Sequence, residues 1–133
     1  MNPTLQLLDS AHITDVLDEL TQELQRKKRE PLRWCCALCK AVITDDDCKV
    51  QINGAHEHYK VNPQGSAFQF RSYSNAEGCA PTGEATEEYS WFSGYRWRFA
   101  QCATCHTQLG WYFSGSDSFY GLITDQLVRC NNH

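Results

Sequence analysis

Two short cysteine motifs carry the most definite chemistry in this chain. Cys36 and Cys39 lie in "CCALC", and Cys102 and Cys105 lie in "QCATCHTQLGW". Each C-x-x-C loop lets both sulfurs reach one ion, and four thiolates are typical ligands of a tetrahedral Zn²⁺. Such a set leaves no open coordination position, so we expect one structural zinc that joins distant parts of a single domain.

The other four of the eight cysteines have no such pattern. Cys35 competes with Cys36 for the first motif, although its spacing from Cys39 is less usual. The remaining three are isolated in sequence, and we interpret them as small buried or surface residues: Cys48, Cys79 and Cys130. A redox dithiol or a pair of disulfides is the alternative for the two motifs. The "HEH" of residues 56–58 is interpreted as a surface loop and not as a metal site.

Aromatic residues are concentrated in "EYSWFSGYRW", residues 88–97, of a chain that is 12% aromatic. In the following strand-like run, alternation places Tyr95, Trp97 and Phe99 on one face. The same rule gives Leu109, Trp111 and Phe113 a common face. Core packing is the simple explanation for such residues, and a binding site is the other.

The order of local patterns predicts a helix followed by a β domain. Apolar residues recur every three or four positions from Ile13 to Leu24, which favours a helix, and Pro31 ends that segment. From Leu32 onward short strand-like runs alternate with Gly, Pro, Asn and Asp, as in antiparallel sheets. We therefore predict a helical extension over residues 1–31 and a mainly β domain over 32–133.

Composition narrows the classes of partner. The net charge is -4 and the pI about 5.7, so no basic field draws the chain to nucleic acid or to an anionic membrane. No apolar run reaches the ~18 residues of a membrane span, and the N-terminal residues do not resemble a secretory signal. We expect a cytoplasmic protein, in which metal binding or free thiols are more usual than disulfides.

Several stretches together resemble one family. They are "CALC", "HEHYKVNPQG", "EYSWFSGYRW", "AQCATCHTQLGWYF" and "FYGLI", and they occur in this order between residues 36 and 123. The combination is similar to the CULT domain, the thalidomide-binding domain of cereblon, and its layout resembles the single-domain bacterial homologues of that domain.

The resemblance implies a β-tent of two antiparallel sheets pinned by the zinc. It also implies a cage whose walls are Trp91, Trp97 and Trp111, with Phe113 at the base. The ligand would be a cyclic imide, such as a glutarimide or a thalidomide-type molecule, a uracil-like ring or a cyclic-imide protein C-terminus. In the family the imide is bound by backbone groups at the positions of Tyr89 and Trp91, with Asn62 at the rim.

One departure concerns Tyr89, whose position is a histidine in animal cereblon and an aromatic residue in some bacterial relatives. Contacts through that side chain are therefore not carried over, whereas backbone contacts are. Cereblon's adaptor-binding segments have no counterpart here, so a ubiquitin-ligase adaptor is not expected as a partner. The resemblance implies a binding module and not an enzyme.

Two other functions stay open from the sequence. "CATCHTQLGW" is similar to a motif of methionine sulfoxide reductase B, and Cys130 in "RCNN" falls roughly where that family has its catalytic cysteine. The chain could also be a zinc-stapled protein-interaction domain whose tryptophans are simply core. Exposure of the tryptophans distinguishes this last reading from a cage.

Overall fold

The computed structural model describes residues 16–22, 24 and 31–131. Chain contacts divide it into two units, Met1–Pro31 and Leu32–His133. In the first unit, residues 16–22 and 24 are helical, within the predicted helix. The rest of that helix and the basic run of residues 26–29 lie outside the described residues. Within the described ranges, no helix combines the length and the apolar character needed to cross a membrane.

The second unit contains two antiparallel sheets, and the prediction of a mainly β fold is confirmed. The strands described are β1 (Arg33–Cys36), β2 (Val42–Asp45), β3 (Glu57–Val61), β4 (Ala67–Tyr73), β5 (Cys79–Thr86), β6 (Arg96–Cys102), β7 (Gln108–Ser114), β8 (Ser118–Ile123) and β9 (Leu127–Arg129). The small sheet has the order β2-β1-β9, and the large sheet has the order β3-β4-β8-β7-β6-β5. Short 3-10 turns occupy Asp46–Cys48 and Thr124–Gln126.

The core has two parts. One contains the buried residues around the cysteine motifs: Cys36, Ile43, Tyr73, Ala76, Cys79, Cys102, Leu109, Leu122 and Leu127. The other is aromatic and contains Phe70, Phe92, Trp111, Phe113 and Phe119. Strand β7 belongs to both, because Leu109 packs in the first part while Trp111 and Phe113 pack in the second. The cysteine motifs and the aromatic residues are therefore positioned by the same strand.

Two glycines on neighbouring strands make room for the aromatic part of the core. A Cβ at Gly121 would lie 2.8 Å from Cδ2 of Phe70 and 3.0 Å from Cε2 of Phe113. A Cβ at Gly110 would overlap the carbonyl oxygen of Gly121. Both positions need glycine because the backbones and rings come closer than any side chain allows.

A disulfide joins Cys35 on β1 to Cys130, which directly follows β9. The Cα atoms are 5.2 Å apart, and pairing of β1 with β9 places Cys35 opposite Val128. The interpretation of Cys130 as an isolated cysteine is therefore wrong, and Cys35 is not a competing metal ligand. Nothing local in the sequence indicates that the last strand returns to the first, so this pair could not be assigned from spacing.

Breaking this cross-link should destabilise the domain. The bond closes a sequence separation of 95 residues, and a loop of that length loses enough entropy in the unfolded chain to contribute about 4 kcal/mol. Cys130→Ser should lower the free energy of unfolding by about that amount in urea titrations without reductant. Cys48→Ser is the matched control because Cys48 is a free cysteine. Equal stability of Cys130→Ser and the unaltered protein would contradict the bond's contribution.

Candidate functional site

The four motif cysteines converge at the point where the two sheets meet. Cys36 ends β1 and Cys39 lies in the turn before β2, while Cys102 ends β6 and Cys105 lies in the turn before β7. Their sulfurs all lie within 4.8 Å of one another. The Cys36 and Cys105 sulfurs are 3.7 Å apart, and those of Cys39 and Cys102 are 3.6 Å apart. Four thiols so close together form a cluster that could hold a metal ion.

The two turns that present these cysteines have the same backbone construction. Lys40 and His106, each directly after the second cysteine of its motif, both have φ of 67°. The backbone N–H of each donates to the carbonyl of the first cysteine, Cys36 or Cys102, at 2.9 Å. The N–H of that first cysteine donates to the carbonyl five residues further on, at 2.8 Å in both turns. His106 thus supplies both the left-handed residue and the backbone donor that close the second turn.

The thiols of the cluster differ in how readily they ionise. Burial opposes ionisation of Cys102, but the backbone N–H groups of Cys105 and Thr104 donate to its sulfur and lower its pKa to about 7. The N–H of Thr107 favours the Cys105 thiolate, yet desolvation and the neighbouring sulfurs outweigh it and raise the pKa of Cys105 to about 12. Several thiolates in this space need a compensating cation, so the donor set fits a metal ion.

Cys79 lies beside the cluster without belonging to it. It is opposite Cys102 in the register of β5 and β6, and it is buried. Burial, with the nearby sulfurs of Cys102 and Cys36, raises the pKa of Cys79 to about 12. Its thiol therefore stays protonated and acts as a small core residue, as predicted.

A cavity of about 310 Å³ lies in the large-sheet region and is lined by all six residues predicted to bind a ligand: Asn62, Tyr89, Trp91, Trp97, Trp111 and Phe113. The other lining residues are Pro63, Gln64, Phe68, Phe99 and Gln108. Apart from aromatic rings and one proline, every lining side chain is a neutral amide. The cavity thus offers flat apolar walls and hydrogen-bonding groups but no charge.

Two indoles meet at right angles in this cavity. The rings of Trp91 and Trp111 are 4.8 Å apart between centroids with an interplanar angle of 81°. Phe70 supports Trp91 from behind, stacked at 5.5 Å and 21°, while Phe68 stands edge-on to Trp111 at 5.1 Å. Trp111 is only 6% exposed, whereas Trp91 is half-buried. The indoles of Trp91 and Trp111 are thus held in place by packing against neighbouring phenylalanine rings, without a ligand.

The hairpin of β6 and β7 supplies the third indole and the base. Its register pairs Trp97 with Phe113 and Phe99 with Trp111. Residues that are directly opposite share a face, so these four rings form one aromatic surface. The predicted faces of Trp97 with Phe99 and of Trp111 with Phe113 are therefore joined, which alternation alone could not establish.

The loop between β5 and β6 is anchored by the indoles themselves. The Nε1–H of Trp91 donates to the carbonyl of Val61 at 3.0 Å, and that of Trp97 donates to the carbonyl of Glu88 at 2.7 Å. Tyr89, between these anchors, adopts the left-handed conformation with φ of 58°. Its side chain is 73% exposed. The backbone of the loop therefore turns at Tyr89, and the phenol ring of Tyr89 lies at the solvent-exposed opening of the cavity.

Some backbone groups of the β5–β6 loop have no hydrogen-bond partner within the described part of the chain. Among the residues that the structure describes, neither the N–H nor the C=O of Tyr89 or of Trp91 has a hydrogen-bond partner. Asn62, at the opposite rim, uses its Oδ1 to accept from the N–H of Ser66 at 2.8 Å. Asn62 thus holds the turn before β4, and the free groups belong to the β5–β6 loop.

Not every aromatic residue of "EYSWFSGYRW" lines the cavity. Phe92 is 1% exposed and belongs to the aromatic part of the core. Tyr95 precedes β6 and does not share the face of Trp97: its ring packs on Phe92 and Phe119, and its hydroxyl donates to Asp117. The face prediction fails there because the strand begins one residue later. Phe68, Phe99 and Gln108 also line the cavity. Alternation predicts that Phe99 shares the face of Trp97, but no pattern in the sequence marks any of the three as a binding residue.

Comparison with curated proteins identifies the relatives of this arrangement. "Protein cereblon" of Danio rerio is 34% identical over 103 residues, which is 71% of this chain and 24% of that protein. "Protein cereblon" of Gallus gallus is 29% identical over 71% of the chain, and that of Drosophila melanogaster is 25% identical over 83%. This chain carries a cereblon-like CULT domain. It spans about a fifth to a quarter of the length of these relatives. No protein-family model matches it.

Behind the aromatic wall of the cavity in this CULT domain lies a buried histidine. His58 is 7% exposed on β3, so the interpretation of "HEH" as a surface loop is wrong for this residue. Its ring stacks on Phe70 at 5.3 Å and stands edge-on to Phe92 at 5.2 Å. The Nε2 atom is 3.3 Å from Oγ of Ser72. Because Ser72 gives its only hydroxyl proton to the carbonyl of Val50, its oxygen is left to accept from His58.

This environment favours the neutral imidazole. Burial lowers the pKa of His58, and the charges of Lys60 and His56 lower it further, against a smaller opposing effect from the carbonyl of Ala55. In the unfolded chain the pKa is about 6.5. Below that value the unfolded state binds more protons, so folding stability falls as the pH falls, until His58 is protonated in the folded state as well.

His58→Gln should reduce the pH dependence of the folding stability of this CULT domain. In the unaltered protein, we expect the free energy of unfolding to decrease below about pH 6.5, with His58 contributing at most ~1.4 kcal/mol per pH unit. Chemical denaturation at intervals between pH 7.5 and 5 measures the slope, which should be smaller in His58→Gln. His106→Asn, at an exposed turn position that asparagine tolerates, is the control and should keep the His58 contribution. An unchanged slope in His58→Gln would contradict this account.

Proposed function

We propose that this CULT domain is a non-enzymatic binding module that holds a flat, neutral cyclic imide between Trp91, Trp97 and Trp111, with Phe113 at the base. The observation that carries the proposal is that three indoles line one uncharged cavity beside the unpartnered backbone groups of Tyr89 and Trp91. Rigid indoles lose little entropy on binding and offer flat faces for stacking.

The imide group matches these backbone groups chemically. It has one N–H donor between two carbonyl acceptors, whereas the loop offers both carbonyl acceptors and N–H donors at Tyr89 and Trp91. A buried polar edge without partners would weaken binding by about 1–3 kcal/mol. A ring that lacks this donor and acceptor pattern would be disfavoured for that reason, which favours glutarimides, thalidomide-type imides and uracil-like rings over plain aromatic rings.

The uncharged lining of the cavity also favours one kind of protein ligand. A cyclic imide at a protein C-terminus has no terminal carboxylate, so it would enter this cavity without burying a charge. We therefore include such modified C-termini among the ligands. No adaptor of a ubiquitin ligase is proposed for this chain.

For the cysteine cluster, we propose a single structural Zn²⁺ held by Cys36, Cys39, Cys102 and Cys105. Bonds of about 2.3 Å in a tetrahedron put neighbouring sulfurs about 3.8 Å apart. The two closest pairs here are 3.6 and 3.7 Å apart. Bound there, the ion would fix the turns of β1–β2 and β6–β7 to each other and would take no part in ligand chemistry.

The reductase alternative has less support. Cys130 is bonded to Cys35 and is not among the residues that line the cavity. The cytoplasmic location remains a prediction, and the Cys35–Cys130 bond, of a kind more usual in oxidising compartments, argues against it.

Calorimetric titration with glutarimide tests the cage. We expect saturable binding to the unaltered protein and a loss of roughly 30-fold or more in affinity for Trp91→Ala and Trp97→Ala, because each removes a stacking wall. N-methylglutarimide should bind poorly because it lacks the imide donor.

Trp34→Phe is the matched control for these variants. Trp34 lies outside the cavity, where its Nε1–H donates to Asp46 at 2.8 Å and the guanidinium of Arg71 lies over its ring. This variant should bind glutarimide normally. Absence of binding to the unaltered, folded protein would overturn the cage, and unchanged affinity in Trp91→Ala would exclude its role as a wall.

Native mass spectrometry tests the zinc, and we expect one Zn²⁺ per chain. Removal by a strong chelator should cost at least about 3 kcal/mol, since it unlinks the two hairpins, and should lower the melting temperature by about 15 °C. Cys102→Ser should lose the metal, whereas Cys48→Ser should retain it. The assignment would be overturned if the purified protein contained no metal and if treatment with the chelator left its melting temperature unchanged.

A further inference from the structure

The aromatic lining of the cavity has an electrostatic property that an imide does not use. Seven of the eleven residues that line the cavity are aromatic, and among these eleven none is acidic or basic. The face of an aromatic ring carries partial negative charge, so it attracts a cation that lies over it, and indole attracts more strongly than phenyl or phenol. Three indoles around one cavity of about 310 Å³ therefore favour a cation without any carboxylate.

The rings surround this space from more than one direction. Trp91 and Trp111 are close to perpendicular, at 81°, and Phe68 is close to perpendicular to Trp111, at 79°. On strand β6, Trp97 and Phe99 meet at 78°. A flat ring has only two faces with which to stack, whereas a compact, rounded group can contact rings on several sides at once. The arrangement thus also suits a rounded ligand.

The electrostatic surroundings of the cavity favour a cation over an anion. The chain has a net charge of -4. Glu88 is exposed and directly precedes Tyr89, which lines the cavity. The carbonyl of Glu88 accepts from the indole of Trp97 at 2.7 Å, and this bond keeps the backbone of the acidic residue at the edge of the cavity. A cation that approaches this edge is therefore attracted.

We propose that the cavity also binds a trimethylammonium group, carried by a choline-type small molecule or by the side chain of a trimethylated lysine. This is a second class of ligand, and it does not rest on the proposed imide binding. A trimethylammonium group has no N–H, so it needs no hydrogen-bond partner, and ring faces can replace its weak hydration. An unmethylated ammonium is strongly hydrated and loses more on entering an aromatic cavity.

The test compares choline with 3,3-dimethyl-1-butanol, a neutral analogue of the same shape in which carbon replaces the nitrogen. Both are titrated at constant ionic strength while indole fluorescence is measured. Attraction between a partly desolvated cation and the rings corresponds to about 5- to 30-fold in affinity, so choline should bind more tightly than the analogue by that factor.

Two further ligands identify the source of the group. Tighter binding of Nε-trimethyllysine amide than of choline would indicate a methylated protein side chain, and the reverse order would indicate a small molecule. Unmethylated lysine amide should bind more weakly than the trimethylated compound, because its ammonium keeps its hydration. Equal binding of the two lysine compounds would contradict recognition of the methylated group.

Substitutions at Trp97 test the role of the ring face. Trp97→Leu keeps an apolar side chain but removes the indole, so it should lower the ratio of the two affinities, choline over neutral analogue, at least about 3-fold. Trp97→Phe should keep a reduced preference for choline. Tyr59→Leu is the matched control and should leave the ratio unchanged, because Tyr59 is 71% exposed and is not among the residues that line the cavity.

Equal affinity for choline and for the neutral analogue in the unaltered protein would overturn this inference. So would a preference for choline that is undiminished in Trp97→Leu. The outcome is separable from the imide proposal, because the two ligand classes are titrated independently. Binding of glutarimide without a preference for choline refutes the cation site alone, and a preference for choline without binding of glutarimide refutes the imide proposal alone.

Discussion

The geometry of this domain depends on the convergence of four cysteine sulfurs from two sheets. The turn after β1 belongs to the small sheet and the turn after β6 to the large one, and they meet through Cys36, Cys39, Cys102 and Cys105. The hairpin of β6 and β7 that ends in the second turn also carries Trp97, Phe99, Trp111 and Phe113. The cysteine cluster at the turn of this hairpin thus fixes the position of the hairpin's aromatic surface. The cluster and the cavity are two ends of one structural element.

The shape of the aromatic region depends on the absence of a side chain at Gly121 as well as on the aromatic rings themselves. Gly121 on β8 leaves space that the rings of Phe70 and Phe113 occupy, and Phe70 in turn supports both Trp91 and His58. An apolar support of this kind fixes the orientation of the Trp91 indole at the side of the cavity. It also places the imidazole of His58 behind the indole of Trp91, where burial lowers the pKa of that imidazole. The cavity is therefore held open by close packing behind it and not by charge.

The sequence predicted much of this arrangement because its signals are local. Two C-x-x-C motifs specify the cluster by spacing, and alternation in "YRWRFA" and "LGWYF" predicts the faces of Trp97 and Trp111. What could not be predicted depends on contacts between distant segments. The pairing of Cys35 with Cys130 requires β9 to return beside β1, and the burial of His58 requires Phe92 to pack over β3. Tyr95 failed for a local reason, since β6 begins one residue after it.

The Cys35–Cys130 bond has a mechanical meaning. It joins Cys35, within the first strand of the domain, to Cys130, which directly follows the last strand, and those two strands are paired with each other. Tension applied to the chain before residue 35 and after residue 130 would pass through this one covalent bond. It would therefore bypass the large sheet. The cavity in the large sheet would therefore keep its shape when the two ends of the domain are pulled apart.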